Sequence, residues 1–233
     1  MDRREFLAAS ATLAVAPGAV EAQTVPGGTH RVERRSDFDE GAFAAVVGRG
    51  ADIRQLYEAV SFTSGLLGSI KNSFNGLQFG FGYAPDRIAI ALAGHGPSAA
   101  YGYSDSIWQR YRIGEFLKIH DSNGRPMTSN SFFSRRAPYD VRANPDDDGG
   151  MYQDSSIEML QRRGLIVLTC HTAVEEQARS LVRKGFAPAG MSAGDVADDI
   201  LTHLIAGAVV VPSMVATIAV LQARYRYAYL TPL

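Results

Sequence analysis

The chain contains a single cysteine, Cys170, at a position where a thiol could do chemistry. An apolar run at 164–169 ends just before it, and a helical pattern at 172–184 begins just after it. Strand ends that lead into helices are where open α/β sheets bind their ligands. The start of a helix also favours a thiolate over a thiol. The spacing therefore predicts a reactive thiol at Cys170, with the adjacent His171 tuning or shuttling its proton.

The sequence leaves a second interpretation of Cys170 open. Free cysteine is among the most buried residue types, so the side chain can equally serve as core packing. A lone cysteine cannot form an internal disulfide, which means that chemistry and packing are the two alternatives.

A second candidate residue is His95, which lies between two glycines after another compact apolar run, Arg87–Ala93. That run predicts a buried strand. If this strand is a neighbour of the strand before Cys170, His95 can contact an anionic or polar ligand beside the thiol. We expect Gly96 and Ser213 to line the same pocket. The alternative for His95 is a turn residue hydrogen-bonded to the backbone.

The sequence indicates no cofactor or metal. Gly94–Ala99 fits the dinucleotide pattern G-x-G-x-x-A, but Pro97 removes a backbone donor from the phosphate loop. The acidic residue about twenty positions on, Glu115, follows a helical aromatic stretch instead of ending a strand. The cysteine and the histidines are scattered, without the spacing of zinc ligands. A metal or haem site assembled from distant residues is therefore only the weaker alternative.

The N-terminus has the pattern of an export signal. Arg3 and Arg4 precede an uncharged stretch at 8–20 and a small-residue cleavage site before Gln23. The arginine pair predicts a twin-arginine (Tat) signal over residues 1–22, with the Tat export machinery as partner and the periplasm as destination. The alternative is an ordinary amphipathic N-terminal helix.

Composition excludes several classes of protein. The formal net charge is −1, and no basic stripe indicates nucleic-acid binding. Leu204–Leu221 carries no charge over eighteen positions, yet Pro212 and Ser213 divide it into a β-branched run and a helical pattern. We therefore expect a buried strand, a turn and a helix N-capped by Ser213, with no transmembrane anchor after signal cleavage.

The periodicity predicts one α/β domain over residues 51–233, after a lead-in at 23–50. A helix is expected from Asp52 to about Phe74, and a polar segment at 121–151 is expected to form a long loop that acts as a lid or partner contact. Further helices are expected at 155–163, 172–184, 194–204 and 213–223, and further strands at 164–169, 207–211 and 226–230. This alternation predicts a three-layer fold with a parallel sheet flanked by helices.

Five segments resemble the DsrE/DsrF-like family and its Tat-exported branch. They are the cysteine turn at 167–172, the strand and turn at 207–213, the closing helix and aromatic strand at 221–229, the His-Gly-Pro turn at 91–97 and the segment at 105–115. The resemblance extends over roughly residues 50–230. It implies a parallel sheet flanked by helices, homo-oligomers, a first strand before Asp52, and sulfur transfer through a cysteine persulfide with a donor or acceptor protein.

Together these observations predict an exported DsrE-like protein that carries sulfur as a persulfide or handles a small ligand in periplasmic sulfur or redox metabolism. Whether it catalyses a reaction stays open at this point. The main alternative is a non-enzymatic oligomeric binding or assembly protein whose loop at 121–151 contacts a partner. A periplasmic metal- or haem-binding protein is the weaker one.

Overall fold

A computed structural model describes residues 38–62, 65–133 and 144–231 of the chain. The predicted signal peptide at 1–22 and the first part of the lead-in segment lie outside the described residues.

A parallel sheet forms the centre of the fold. Its strands are β1 (Ile53–Ala59), β2 (Ile88–Gly94), β3 (Leu165–Cys170), β4 (Ala208–Val211) and β5 (Ala228–Leu230). Their order across the sheet is β4-β3-β2-β1-β5, and each neighbouring pair runs parallel. Strands β1 to β4 therefore step across the sheet in one direction, and β5 returns to the opposite edge beside β1.

Helices cover both faces of the sheet. They are α1 (Glu40–Val47), α2 (Leu66–Asn75), α3 (Asp105–Arg110), α4 (Ile113–Leu117), α5 (Ile157–Arg162), α6 (His171–Arg183), α7 (Ala193–Thr202) and α8 (Met214–Tyr225). Helices α2 and α5 pack on one face, and the others contribute to the core of the opposite face. The predicted three-layer α/β fold with a parallel sheet is confirmed.

Strand β2 shows why the two faces differ. All of its residues are buried, as expected for a central strand of a parallel sheet. Successive side chains point to opposite faces, so its isoleucines and Leu92 face α2 and α5 while Ala89, Ala91 and Ala93 face the other layer. Helix α8 crosses β2 and β3 on this alanine face.

The helix expected from Asp52 to Phe74 is wrong in its first half. Residues Ile53–Ala59 form β1, and the helix begins only at Leu66. The apolar residues of this segment satisfy helical spacing, but β2 and β5 pair with the segment from both sides. Hydrogen bonding to two neighbouring strands thus overrides the local pattern.

The expectation of a strand before Asp52 is also wrong, because residues Glu40–Val47 form helix α1. Asp39 caps this helix by accepting a hydrogen bond from the backbone N–H of Ala42 at 2.8 Å. Phe43 and Val47 are part of the core. The packed unit therefore begins before residue 51, the start predicted for the domain.

The remaining elements follow the predictions within about two residues. The uncharged stretch Leu204–Leu221 contains β4 and the beginning of α8. Among the described residues, no helix combines the length and the apolar character that crossing a bilayer requires. In the described parts of the loop at 121–151, the regular structure is limited to a 3₁₀ turn at Ser131–Phe133.

Candidate functional site

Two ionisable side chains meet at the carboxyl edge of the sheet. Glu58 is the penultimate residue of β1, and His95 directly follows β2. The parallel register places Glu58 beside Ala93 and Ala59 beside Gly94, which brings the two side chains to the same face. His95 Nε2 lies 2.7 Å from Glu58 Oε1, and the two side chains are 17% and 19% exposed. An imidazole and a carboxylate thus form a partly open pair where parallel sheets bind ligands.

The second oxygen of Glu58 is held by the edge strand. Tyr229 of β5 donates its hydroxyl hydrogen to Glu58 Oε2. Burial by itself raises the pKa of Glu58, but the hydrogen bonds from Tyr229 and His95 outweigh it, so the pKa lies below its ordinary value. The same hydrogen bond raises the pKa of Tyr229. At neutral pH the site therefore contains an ionised carboxylate with a donor on each oxygen.

The ionised state of Glu58 determines the tautomer of His95. A carboxylate without a proton can only accept hydrogen bonds, so Nε2 must carry the hydrogen that joins the two groups. When the imidazole is neutral, Nδ1 then has a free lone pair. Nδ1 forms no hydrogen bond to any described residue. His95 is therefore arranged to accept a proton or a hydrogen bond at Nδ1 while Glu58 stabilises the resulting positive charge.

Several hydrogen bonds hold the loop that carries His95. The backbone N–H of His95 donates to Ala59 O at 3.0 Å and continues the β1–β2 ladder by one residue. The single hydroxyl hydrogen of Ser98 is shared between the carbonyls of His95 and Ala59, both within hydrogen-bonding distance of Oγ. Gln177 Nε2, on α6, donates to Gly96 O at 2.6 Å. The position of the imidazole is thus fixed from β1 and from α6.

Gly96 supplies the turn, not a ligand-binding side chain. Its φ of +55° lies in the left-handed region, which glycine adopts without strain. A Cβ atom at this position would also approach Val60 O to 3.3 Å. The contribution of Gly96 to the site is therefore the backbone conformation that directs the chain away from His95.

Cys170 lies at the predicted strand end, but its thiol faces the core. Gly94 pairs with Thr169, so the next residues, His95 and Cys170, stand side by side on neighbouring strands. Only 4% of Cys170 is exposed, and its Sγ accepts a hydrogen bond from the backbone N–H of Met214 at 3.3 Å. No hydrogen bond joins Sγ to the His95 imidazole in the described part of the chain. Strands β2 and β3 are neighbours, as a shared site for His95 and Cys170 would require. The thiol of Cys170, however, is covered by α8.

A buried tyrosine connects the surroundings of Cys170 to the histidine loop. Burial and, to a smaller extent, the neighbouring Cys170 raise the pKa of Tyr103, so its hydroxyl stays protonated. That hydroxyl donates to Gln177 Oε1 at 3.2 Å, and the amide of Gln177 donates onward to Gly96 O. A chain of two hydrogen bonds therefore runs from Tyr103, which lies near Cys170, to the backbone of Gly96, the residue after His95.

The structure places His171 and Ser213 apart from this pair. His171 Nε2 lies 4.0 Å from Glu175 Oε1 on α6, and Glu175 also pairs with Arg179. Ser213 precedes α8 and lines a groove of about 230 Å³ between α1 and α8, next to Phe43 and Thr217. Its side chain makes no capping hydrogen bond with the described residues of α8. The predicted pocket of His95, Gly96 and Ser213 is thus divided between two places.

Sequence reasoning missed Glu58, Tyr229 and Gln177. Glu58 was assigned to a helix, and Tyr229 lies 171 positions away from it, so no local spacing connects them. No local signal marks Glu58, because the segment Ile53–Ala59 mixes polar and apolar residues and its apolar spacing fits a helix as well as a strand. Among the described residues, no three His, Cys, Asp or Glu side chains converge on a point that could hold a metal ion.

The lowered pKa of Glu58 predicts how stability depends on pH. Above the ordinary value of 4.5 the ionised carboxylate accepts two hydrogen bonds, and we expect Glu58→Gln to lower the free energy of unfolding by about 1–2 kcal/mol. Because the folded-state pKa is depressed, this contribution is lost as the pH falls through that pKa. Denaturant titrations of both proteins at neutral and acidic pH measure it. Glu176→Gln, an exposed residue of α6, is the control, and a difference that persists in acid contradicts the assignment.

Comparison with known proteins provides no relative for this chain. No protein-family model matches it, no curated protein matches it, and no solved structure matches it. Membership of the DsrE/DsrF-like family therefore stays a prediction from the sequence segments, and the site rests on its own geometry.

Proposed function

We propose that the carboxyl edge of the sheet binds a small polar ligand and that His95, oriented by Glu58, exchanges a proton with it. The observation that carries this proposal is the 2.7 Å contact between His95 Nε2 and Glu58 Oε1, at an edge where both side chains are partly exposed. Imidazole is the side chain most often used for proton transfer near neutral pH. Binding without catalysis would use the same groups.

The pair would act through the ring nitrogen that faces away from Glu58. Nδ1 accepts a proton or a hydrogen bond from the ligand, and the imidazolium that forms keeps its Nε2–H on the carboxylate. Tyr229 holds the other carboxylate oxygen, which limits rotation of Glu58. The backbone and side-chain bonds of the His95 loop keep the ring in place, so little reorganisation is needed when the ligand binds.

We also propose the cellular setting that the sequence predicts. The N-terminal arginine pair supports export by the Tat route to the periplasm, and the sequence segments support a DsrE-like role in sulfur or redox metabolism there. The resemblance to the DsrE/DsrF-like family supports self-association of the chain.

Binding of a small molecule that requires His95 tests this proposal. We expect native mass spectrometry of the protein purified from periplasm to detect a bound small molecule that is lost in the His95→Gln variant. His120→Gln is the matched control, because His120 is exposed on the loop after α4. Retention of the molecule by His95→Gln, or wild-type protein that carries none, contradicts the proposal.

Sulfur transfer through Cys170 is a second candidate function, with a sulfur-donor or sulfur-acceptor protein as partner. In that reaction the Cys170 thiolate attacks the outer sulfur of a donor persulfide, and the donor thiolate leaves. One observation favours it: Sγ lies at the start of α6 and accepts the N–H of Met214 in the first turn of α8. The N-terminal ends of two helices stabilise a thiolate. The reaction would require the first turn of α8 to move.

Alkylation distinguishes the two candidates. Because only 4% of Cys170 is exposed, we expect iodoacetamide to modify the folded protein at least about 100-fold more slowly than the unfolded protein. Mass spectrometry follows a single adduct, since the chain has one cysteine. Rapid alkylation of the folded protein at neutral pH would instead support sulfur transfer at Cys170 over proton exchange at His95.

A further inference from the structure

We infer that the His95 site selects a neutral or cationic ligand that combines a hydrogen-bond donor with an apolar group, and that it discriminates against anions. The inference rests on the proposed function and names the ligand class for the same site. Three properties of the site support it: its charge, the hydrogen-bonding state of His95, and the apolar side chains at its rim.

The charge of the site is negative or zero. Glu58 is ionised, and both of its hydrogen-bond partners, His95 and Tyr229, are neutral when the imidazole is unprotonated. Within the described ranges, no lysine or arginine forms a hydrogen bond or an ion pair with any of these three residues. An anionic ligand would therefore meet the Glu58 carboxylate without a compensating cation.

The hydrogen-bonding state of His95 also disfavours anionic ligands. With the hydrogen on Nε2, the free Nδ1 of the neutral ring is an acceptor. A hydroxyl or an ammonium group can donate to it. A carboxylate or a fully ionised phosphate cannot, because it has no hydrogen to give. When the ring is protonated, Nδ1 becomes a donor and the Glu58–His95 pair is neutral overall, so the preference for a donor ligand belongs to the neutral ring.

Two exposed side chains provide the apolar part of the site. Val60 follows β1 and is 54% exposed, and its carbonyl borders Gly96, the residue after His95. Tyr229 is 38% exposed and reaches Glu58 with its hydroxyl, which leaves its ring at the rim. Sites for small amphipathic molecules combine apolar and aromatic side chains with a few polar groups, as Val60, the Tyr229 ring and the Glu58–His95 pair do here. Tyr229 additionally favours cations near its ring face.

Four probes separate these properties. Benzyl alcohol, benzylamine and benzoate share one aromatic ring and differ in charge, and inorganic phosphate carries negative charge without an apolar group. We expect the first two to shift the His95 side-chain signals in NMR titrations of the full-length protein. Benzoate is expected to bind at least about tenfold more weakly than benzylamine, and phosphate more weakly still. His95→Gln assigns the signals among the five histidines.

Variants show which group causes the selectivity. Glu58→Gln is expected to reduce the preference for benzylamine over benzoate to less than about threefold, because the repelling charge is gone. Val60→Ser is expected to weaken the binding of benzyl alcohol and of benzylamine. Val182→Ser, which replaces a partly exposed valine at the far end of α6, is expected to change neither. Circular dichroism confirms that each variant is folded.

The outcomes separate the two proposals. Benzoate or phosphate binding as tightly as benzylamine overturns the inference about ligand class and leaves the proposed ligand-binding role intact. A preference for benzylamine that persists unchanged in Glu58→Gln also overturns it. Absence of any response of His95 to the four probes overturns the binding role together with the inference.

Discussion

The contact between Glu58 and His95 depends on the register of β1 against β2. Ala59 pairs with Gly94, and the N–H of His95 extends this ladder by one hydrogen bond to Ala59 O. A shift by one residue would turn Glu58 to the opposite face of the sheet. Such a shift would also exchange Leu56 and Tyr57, which pack in the cores of opposite faces of the sheet. The core of the sheet therefore fixes the geometry of the site.

The same packing gives two neighbouring strand ends opposite properties. The alanine face of β2 receives α8, whose first turn covers Cys170 at the end of β3 and donates the Met214 N–H to its sulfur. At the end of β2 the chain turns away through Gly96, which leaves the His95 ring partly open. Beneath the surface, Tyr103 donates a hydrogen bond to Gln177, and Gln177 donates one to Gly96 O, the residue after His95. His95 is therefore better supported than Cys170 as a ligand-binding residue, because its side chain is more exposed to solvent.

Local pattern was sufficient for most of the fold. Apolar runs identified β2, β3 and β4, and an aromatic segment identified β5. The ends of β2 and β3 located His95 and Cys170 at one edge of the sheet. Pattern was insufficient for β1, because the spacing of Ile53, Leu56 and Tyr57 satisfies a helix as well as a strand, and only pairing with β2 and β5 decides between them. Glu58 and Tyr229 were missed for this reason. The burial of the thiol depends on where α8 docks, which no local pattern contains.

The central claim is that Glu58 holds His95 in one tautomer at the carboxyl edge of the sheet. Long-range ¹H–¹⁵N NMR of the His95 imidazole at neutral pH tests it directly, because the two ring nitrogens have distinct shifts in each tautomer. The account predicts that the neutral form of the ring carries its hydrogen on Nε2 in the wild-type protein and that Glu58→Gln loses this preference. A hydrogen on Nδ1 in the wild type, or the same tautomer in both proteins, would contradict it.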